Sequence, residues 1–440
     1  MSEPVSYGRA MVLVTASSLL VPVIGLVTAP VLTQSLGVVG RGEAGAAIAP
    51  NLLIVGVATL GLPQALTYHV AKRPHLSRIA LGWAAMFSVL VGAVTLIGVI
   101  LFTPFLSAGD ENLAGLMILG TLLALPALIV SLLRGAAAGR QMWAAVAAER
   151  VVNSVVRLIA IVGLALLGLL DVTNAVLVMS IAPVIAGIAY WKLALPPPKL
   201  REVDLDAMKF RLAPALLGFG SRIWLGSVAT MLIARLSSLL VTPLSDVAQL
   251  GLLIVAITIS DLPYIVTQAV RDVAFGASSA ESDIARLQST SRVATIIAFA
   301  GSVVLGATLP LWISFIFGKG FDAAIEPTWL LLASSVLAVP GLVAGAGLDS
   351  AGRPGLRSFA LVLSLVLYLV GLLLLVPPIG ALGAAIAGLA SVVVSTVVVV
   401  GAASKILRTP VRKFFVPERA DIKLMSDTIR IVSRRIRRMR

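Results

Sequence analysis

The chain has 440 residues, 59% hydrophobic and 12% charged, with a mean hydropathy of +1.05 and a formal net charge of +14. Roughly 260 apolar positions exclude a soluble globular protein and fit about ten to thirteen bilayer spans of roughly 20 residues each. With no cysteine and two histidines, the chain has no disulfide, thiolate nucleophile or cysteine- or histidine-rich metal centre, so neither metal nor cofactor is expected.

The first apolar stretch, from about Met11 to Leu36, is too long for a signal-peptide core and reads as an uncleaved span. Continuing along the chain with a window of about 19 residues predicts spans over 11–34, 44–69, 80–104, 113–134, 151–170, 173–191, 213–241, 247–269, 293–316, 327–348, 358–376 and 381–403. The expected fold is therefore an all-α polytopic membrane protein of about twelve transmembrane helices. With the N-terminus inside, 29 of the 34 basic residues fall in inner loops or the tail, against Arg41 and Lys319 outside. That asymmetry puts both termini in the cytoplasm. It also accounts for the net charge without nucleic acid, since inner loops attract anionic lipid.

The sequence repeats internally. Leu52–Thr67 aligns with Leu252–Thr267 at seven of sixteen positions, Pro63 over Pro263 and Thr67 over Thr267 among them. The second and eighth spans run in the same direction, so the copies are parallel repeats of six helices, an architecture of transporters with a cavity between lobes. The expected division is an N-terminal lobe over 1–195, a cytoplasmic linker over 196–212, a C-terminal lobe over 213–404 and a basic tail over 405–440.

Three arginines, Arg157, Arg222 and Arg235, fall inside predicted spans. A guanidinium at bilayer depth costs a few kcal/mol or more and normally faces a protein interior or a wet cavity. Arg222 lies about 15 Å above the start of span seven, too deep to snorkel; Arg157 and Arg235 lie nearer the edges. Converging arginines suit phosphate or diphosphate, because the planar fork stays charged whatever the burial. Asp261 is read as the one intramembrane acid, an ion relay or the partner of an arginine. Pro63 and Pro263 are candidate hinges. Asn51 and Gln64 give span two a polar edge that either lines a cavity or bonds a neighbouring helix. The tail places Ile422, Met425, Ile429, Val432, Ile436 and Met439 at helical spacing among Arg430, Arg434, Arg435, Arg437 and Arg438. This is the pattern of an amphipathic helix on an anionic leaflet, with docking onto a partner protein as the other reading. A chain ending at Arg408 is expected to transport in vesicles.

The segments LTQSLGVVGRGEAGAAIAPNLLIVGVATLGLPQALTYHVAK, FGSRIWLGSVATMLIARLSSLLV, FIFGKGFDAAIEPTWLLLASSV, GLDSAGRPGLRS and PPIGALGAAIAGLAS together resemble the multidrug, oligosaccharidyl-lipid and polysaccharide flippase superfamily, in particular its polysaccharide-biosynthesis branch, over residues 8–404. The resemblance implies two six-helix lobes, alternating access and movement of a polyprenyl-pyrophosphate-linked oligosaccharide to the outer leaflet of the bacterial inner membrane. It also implies a cationic cavity, in which Arg222 and Arg235 match the arginines of span seven. Ser237 replaces the acid of an Arg-Leu-Asp pattern, which puts a coupling role at that position in doubt. Ile379-Gly380-Ala381 keeps a tight turn without the family's aromatic.

Other readings are a cation-coupled drug exporter, a lipid II flippase, a non-transporting scaffold that docks through its tail, and a membrane glycosyltransferase. The exporter calls for acids in the N-terminal lobe, and the transferase needs catalytic acids in a large outer loop. The outer loops are about ten residues or shorter, so an enzyme is not expected.

Overall fold

The computed structural model describes residues 7–194, 205–276, 284–351, 353–416, 418 and 421; the side chains of 7–16, 19, 194, 205–211, 219, 222, 223, 225–227, 264–276, 286 and 354 are outside that description. The amphipathic tail pattern from Ile422 to Arg440 therefore lies outside the described residues. The helices are α1 (Tyr7–Val57), α2 (Leu62–Lys72), α3 (Ser77–Leu106), α4 (Glu111–Leu122), α5 (Ala124–Gly139), α6 (Trp143–Leu166), α7 (Val172–Ala186), α8 (Leu205–Leu244), α9 (Val247–Gly276), α10 (Ile284–Phe317), α11 (Ile325–Ser350) and α12 (Pro354–Ile406). The described residues contain no strand.

These helices carry the twelve spans. Among the described residues, seven helical segments have the length and apolarity to cross a bilayer. Two of them, Leu20–Lys72 and Gly355–Ile406, run to 53 and 52 residues, enough for two passes each. Within α1 the chain folds back at Gly37 (φ 69°), and within α12 at Ile379-Gly380, where Gly380 stands at φ 52°. A side chain with a Cβ is disfavoured there, so glycine marks both turns. The expected span boundaries shift in two places. The region around Arg41, expected as an outer loop, is helical, and α8 already begins at Leu205 inside the predicted linker. The caps follow sequence: Asp110 accepts from the backbone N–H of Asn112 and Leu113, and Asp171 from that of Asn174.

Two compact units emerge, residues 1–255 with 313–322 and 376–381, and residues 256–312 with 323–375 and 382–440. In the first, Leu62, Leu66, Leu76, Ala80, Leu132 and Leu216 join α2, α3, α5 and α8 in one apolar core. The arm of α1 after Gly37 lies backbone on backbone against the start of α9: a Cβ on Gly42 would stand 1.9 Å from the Val247 carbonyl oxygen, and one on Gly251 2.1 Å from that of Val38. Helices in lipid pack through such small residues, having no water-driven force to hold them. Away from these seams α3 exposes Leu90, Val94, Ile97, Leu101 and Phe102, the surface a span offers to hydrocarbon.

In the second unit Ala344, Leu348, Ala360, Val399 and Ala403 from α11 and α12 close around Phe414, which follows the last helix and is fully buried. Polar ties reinforce this core. The Ser364 and Ser391 hydroxyls are 2.7 Å apart, and Thr396 donates to the Leu337 carbonyl at 3.0 Å.

Candidate substrate site

The cation pair of the first unit begins with Arg41, on the arm of α1 after Gly37. Packing at Gly40 against Val172 and at Gly42 against Val247 takes this stretch out of solvent, and Arg41 is only 6% exposed. Its Nε has no hydrogen-bond partner among the described residues. Arg157 on α6 is the like charge that acts on it, and the Arg157 Nε is likewise buried without a partner. Arg157 also stands further along its helix than its sequence position suggested. Since α6 starts at Trp143 rather than near Val151, the residue is about 21 Å from the start of the helix and about 13 Å from its end. A buried guanidinium beside a second, half-buried one of like charge is a costly arrangement unless an anion joins them.

Arg41 was missed because it was counted with the outer loops; the signal was its setting between Gly40 and Gly42, residues that allow close helix packing. Two further helix acids stand in the first unit. Glu43 is half-buried on α1, and Glu149 on α6 is 1% exposed. Glu149 accepts two bonds from Arg134, at 3.0 and 2.9 Å, and one from the Tyr190 hydroxyl at 3.3 Å. This ties α5, α6 and the turn after α7 together. Arg134 is thus a paired helix residue, not merely an inner-loop charge.

The other expected site residues divide. Asn51 is 5% exposed and gives its amide to the Gly120 carbonyl at 2.6 Å, so of its two readings the structure holds the helix tie, not the cavity lining. Gln64 is exposed in the first turn of α2, and Arg235 is exposed on α8 and engaged in a contact. Arg222 falls near the centre of α8, with its side chain outside the described residues. Asp261 on α9 is exposed and also engaged. Pro263 is buried within a continuous α9. Pro63 does not bend a helix: span two is broken before it, and Pro63 occupies the first turn of α2, where a missing N–H costs nothing.

The break, Ala58 to Gly61, puts Leu60 at φ 51° and Gly61 at φ 68°. Beside it α1, α3 and α8 line an open apolar pocket of about 350 Å³, with Leu53, Val57, Gly98, Phe102, Leu236 and Leu240 among its walls. Among the described residues no group of histidines and acids is arranged to hold a metal.

Helix order and two double-length bent helices define an all-α polytopic membrane protein of about twelve helices. The description of one family, polysaccharide biosynthesis protein, matches residues 8–275, and the chain belongs to that family. Among solved structures it is similar to the lipid II flippase MurJ in its inward closed conformation, with a TM-score of 0.72 and 11% identity over 92% of this chain and 89% of that one. It is similar also to an inward-facing multidrug resistance MATE family transporter of the MOP superfamily, with a TM-score of 0.65 and 15% identity over 90% and 99%. The MATE multidrug transporter DinF-BH gives 0.58 and 16% over 94% and 98%. At these identities the likeness is one of fold. No curated protein matches the chain in sequence.

Proposed function

We propose that this MOP-type transporter moves a polyprenyl-diphosphate-linked oligosaccharide from the inner to the outer leaflet of the bacterial cytoplasmic membrane, by alternating access and without catalysis, for assembly of a cell-surface polysaccharide. The carrying observation is the Arg41–Arg157 pair, one buried and one half-buried cation, each with its Nε buried and without a carboxylate partner among the described residues. An anionic headgroup supplies the missing counter-charge, and guanidinium is the side chain suited to a diphosphate. Arg222, Arg235 and Gln64 extend the same site in this reading, and Asp261 serves as ion pair or coupling group. The two lobes span 1–195 and 213–404, with both termini in the cytoplasm and the arginine-rich tail against anionic lipid or an assembly protein.

The test is lipid mass spectrometry on cells depleted of the protein, together with transport of a polyprenyl-diphosphate oligosaccharide in vesicles. Accumulation of one such lipid in the inner leaflet is expected, and Arg222→Ala is expected to abolish transport with insertion intact. Transport at the wild-type rate by that variant removes Arg222 from the site.

One observation favours a cation-coupled drug exporter as the second reading. Glu43 is a membrane-helix carboxylate with no hydrogen bond or ion pair among the described residues, and such a group suits a cationic substrate or a coupling ion. Depletion that brings sensitivity to cationic drugs without trapped lipid selects it.

A further inference from the structure

Span two is discontinuous, and one neighbouring helix supports the break. Leu60 and Gly61 are consecutive residues at positive φ, a conformation costing a non-glycine residue about 1–2 kcal/mol. At such a break in a membrane, backbone polar groups lose helical partners and have no water to replace them. The Val57 carbonyl, last of α1, accepts a long 3.3 Å bond from the Leu60 N–H. Its short bond comes from the Trp224 indole N–H on α8, at 2.8 Å. Four residues earlier on α8, Gly220 crosses the break without side chains between. A Cβ on Gly61 would stand 2.5 Å from the Gly220 carbonyl oxygen, and one on Gly220 2.6 Å from that of Leu60. The far side of the break is held differently: the Thr67 hydroxyl donates to the Pro63 carbonyl at 2.9 Å and to the Gly135 carbonyl of α5 at 3.1 Å. Thus α8 holds the junction itself, while α5 holds the short helix beyond it.

We propose that Trp224 is a positioning residue that latches the break in span two, and that displacement of α8 on substrate binding releases it so that α2 moves independently of α1. The coupling rests on the reading above, in which Arg222, two residues before Trp224 on α8, engages the diphosphate. The latch itself rests only on the geometry at Val57.

The chain has no cysteine, so a single Thr59→Cys reports on the break without further engineering. The experiment measures maleimide labelling of this full-length variant in vesicles, with and without polyprenyl diphosphate, in the Trp224 and Trp224→Phe backgrounds. Phenylalanine keeps the ring and removes the donor. With Trp224 in place, the lipid is expected to raise labelling. Trp224→Phe is expected to raise lipid-free labelling about fivefold, the equivalent of one net hydrogen bond, and to erase the lipid response. A lower thermal midpoint with the lipid response intact is the signature of packing alone and overturns the latch, as does unchanged labelling. Labelling raised by Trp224→Phe but indifferent to lipid in both backgrounds upholds the latch and counts against the diphosphate reading.

Discussion

Arg292 and Asp421 meet in a two-pronged ion pair, Nε to Oδ2 at 2.6 Å and Nη2 to Oδ1 at 2.9 Å, with the side chains 4% and 0% exposed. The Ser289 hydroxyl and the Glu418 backbone N–H complete the carboxylate's bonds at 2.7 Å each, and Arg292 also donates to the Lys413 carbonyl. The first stretch of the tail is thus a strap over the ends of α10 to α12, with Phe414 as its apolar anchor. Asp421→Asn leaves the buried Arg292 guanidinium with only the longer pair to the exposed Glu418 carboxylate, 3.4 Å away, which costs about 3 kcal/mol. Thermal unfolding in nanodiscs should fall accordingly. A chain ending at Arg408 loses Phe414 as well and is expected to fall further in thermal unfolding, a readout separate from its expected transport in vesicles.

The same pair sets an acid limit. Burial pushes the Asp421 carboxyl up, but hydrogen bonds from Arg292, Glu418 and Ser289 and the Arg292 charge outweigh it and hold the group below the usual carboxylate range. A depressed folded-state value means that the stabilisation is complete above the unfolded value of about 3.9 and is lost as pH falls through the folded one. Unfolding midpoints recorded from pH 7 down to 3 should be flat in this respect until about pH 4 and then drop. In Asp421→Asn that share of the acid drop should be missing.

Much of the fold was legible because hydrocarbon imposes long apolar runs, from which the span number follows, and the turn at Gly380 was implied by the family resemblance. The sites were less legible, for local reasons. The repeat paired Pro63 with Pro263, yet the first copy breaks and the second does not. The break needs Gly61, which reaches positive φ and tolerates Gly220 at van der Waals distance; the equivalent Asp261 stays helical in α9. Arg41 looked like a loop residue because polarity marks loops in a hydropathy window, whereas its burial depends on which helices close over it. Asp421 gave no signal, since its partner is 129 residues away.

The break makes a steric prediction. Gly61→Ala forces a Cβ into a left-handed conformation and against the Gly220 carbonyl at 2.5 Å. It should destabilise by at least about 2 kcal/mol, from the φ penalty alone plus displacement of α8. Gly218→Ala, on the same helix with nothing within 4 Å of the added Cβ, should be neutral in the same thermal assay.

At the Arg134–Glu149 pair the two partners should not be equivalent. Glu149 is buried at 1% exposure, while the Arg134 side chain is 43% exposed. Removing the arginine strands a buried carboxylate with only the Tyr190 hydroxyl; removing the acid lets the arginine turn to solvent. Arg134→Ala should therefore cost about 3 kcal/mol or more and Glu149→Gln clearly less. Equal losses in thermal unfolding would mean that Arg134 cannot reach water.

Arg41 and Arg157 should separate stability from function. Ordinary buried groups lose both when altered, but here the Nε of each guanidinium is buried without a partner among the described residues, and Arg41 has the like charge of Arg157 acting on it. Replacing Arg41 with Met of similar length removes a desolvated cation and a repulsion, so the unfolding midpoint should hold or rise. Transport of the diphosphate-linked lipid should instead fall by at least about tenfold, the equivalent of one charge-assisted hydrogen bond of about 1.5 kcal/mol. Arg157→Met should behave alike, and the double variant should lose less than the product of the two, since both act on one anion. Stability and transport falling together would identify the pair as structural, and transport unaffected by either change would remove it from the substrate path.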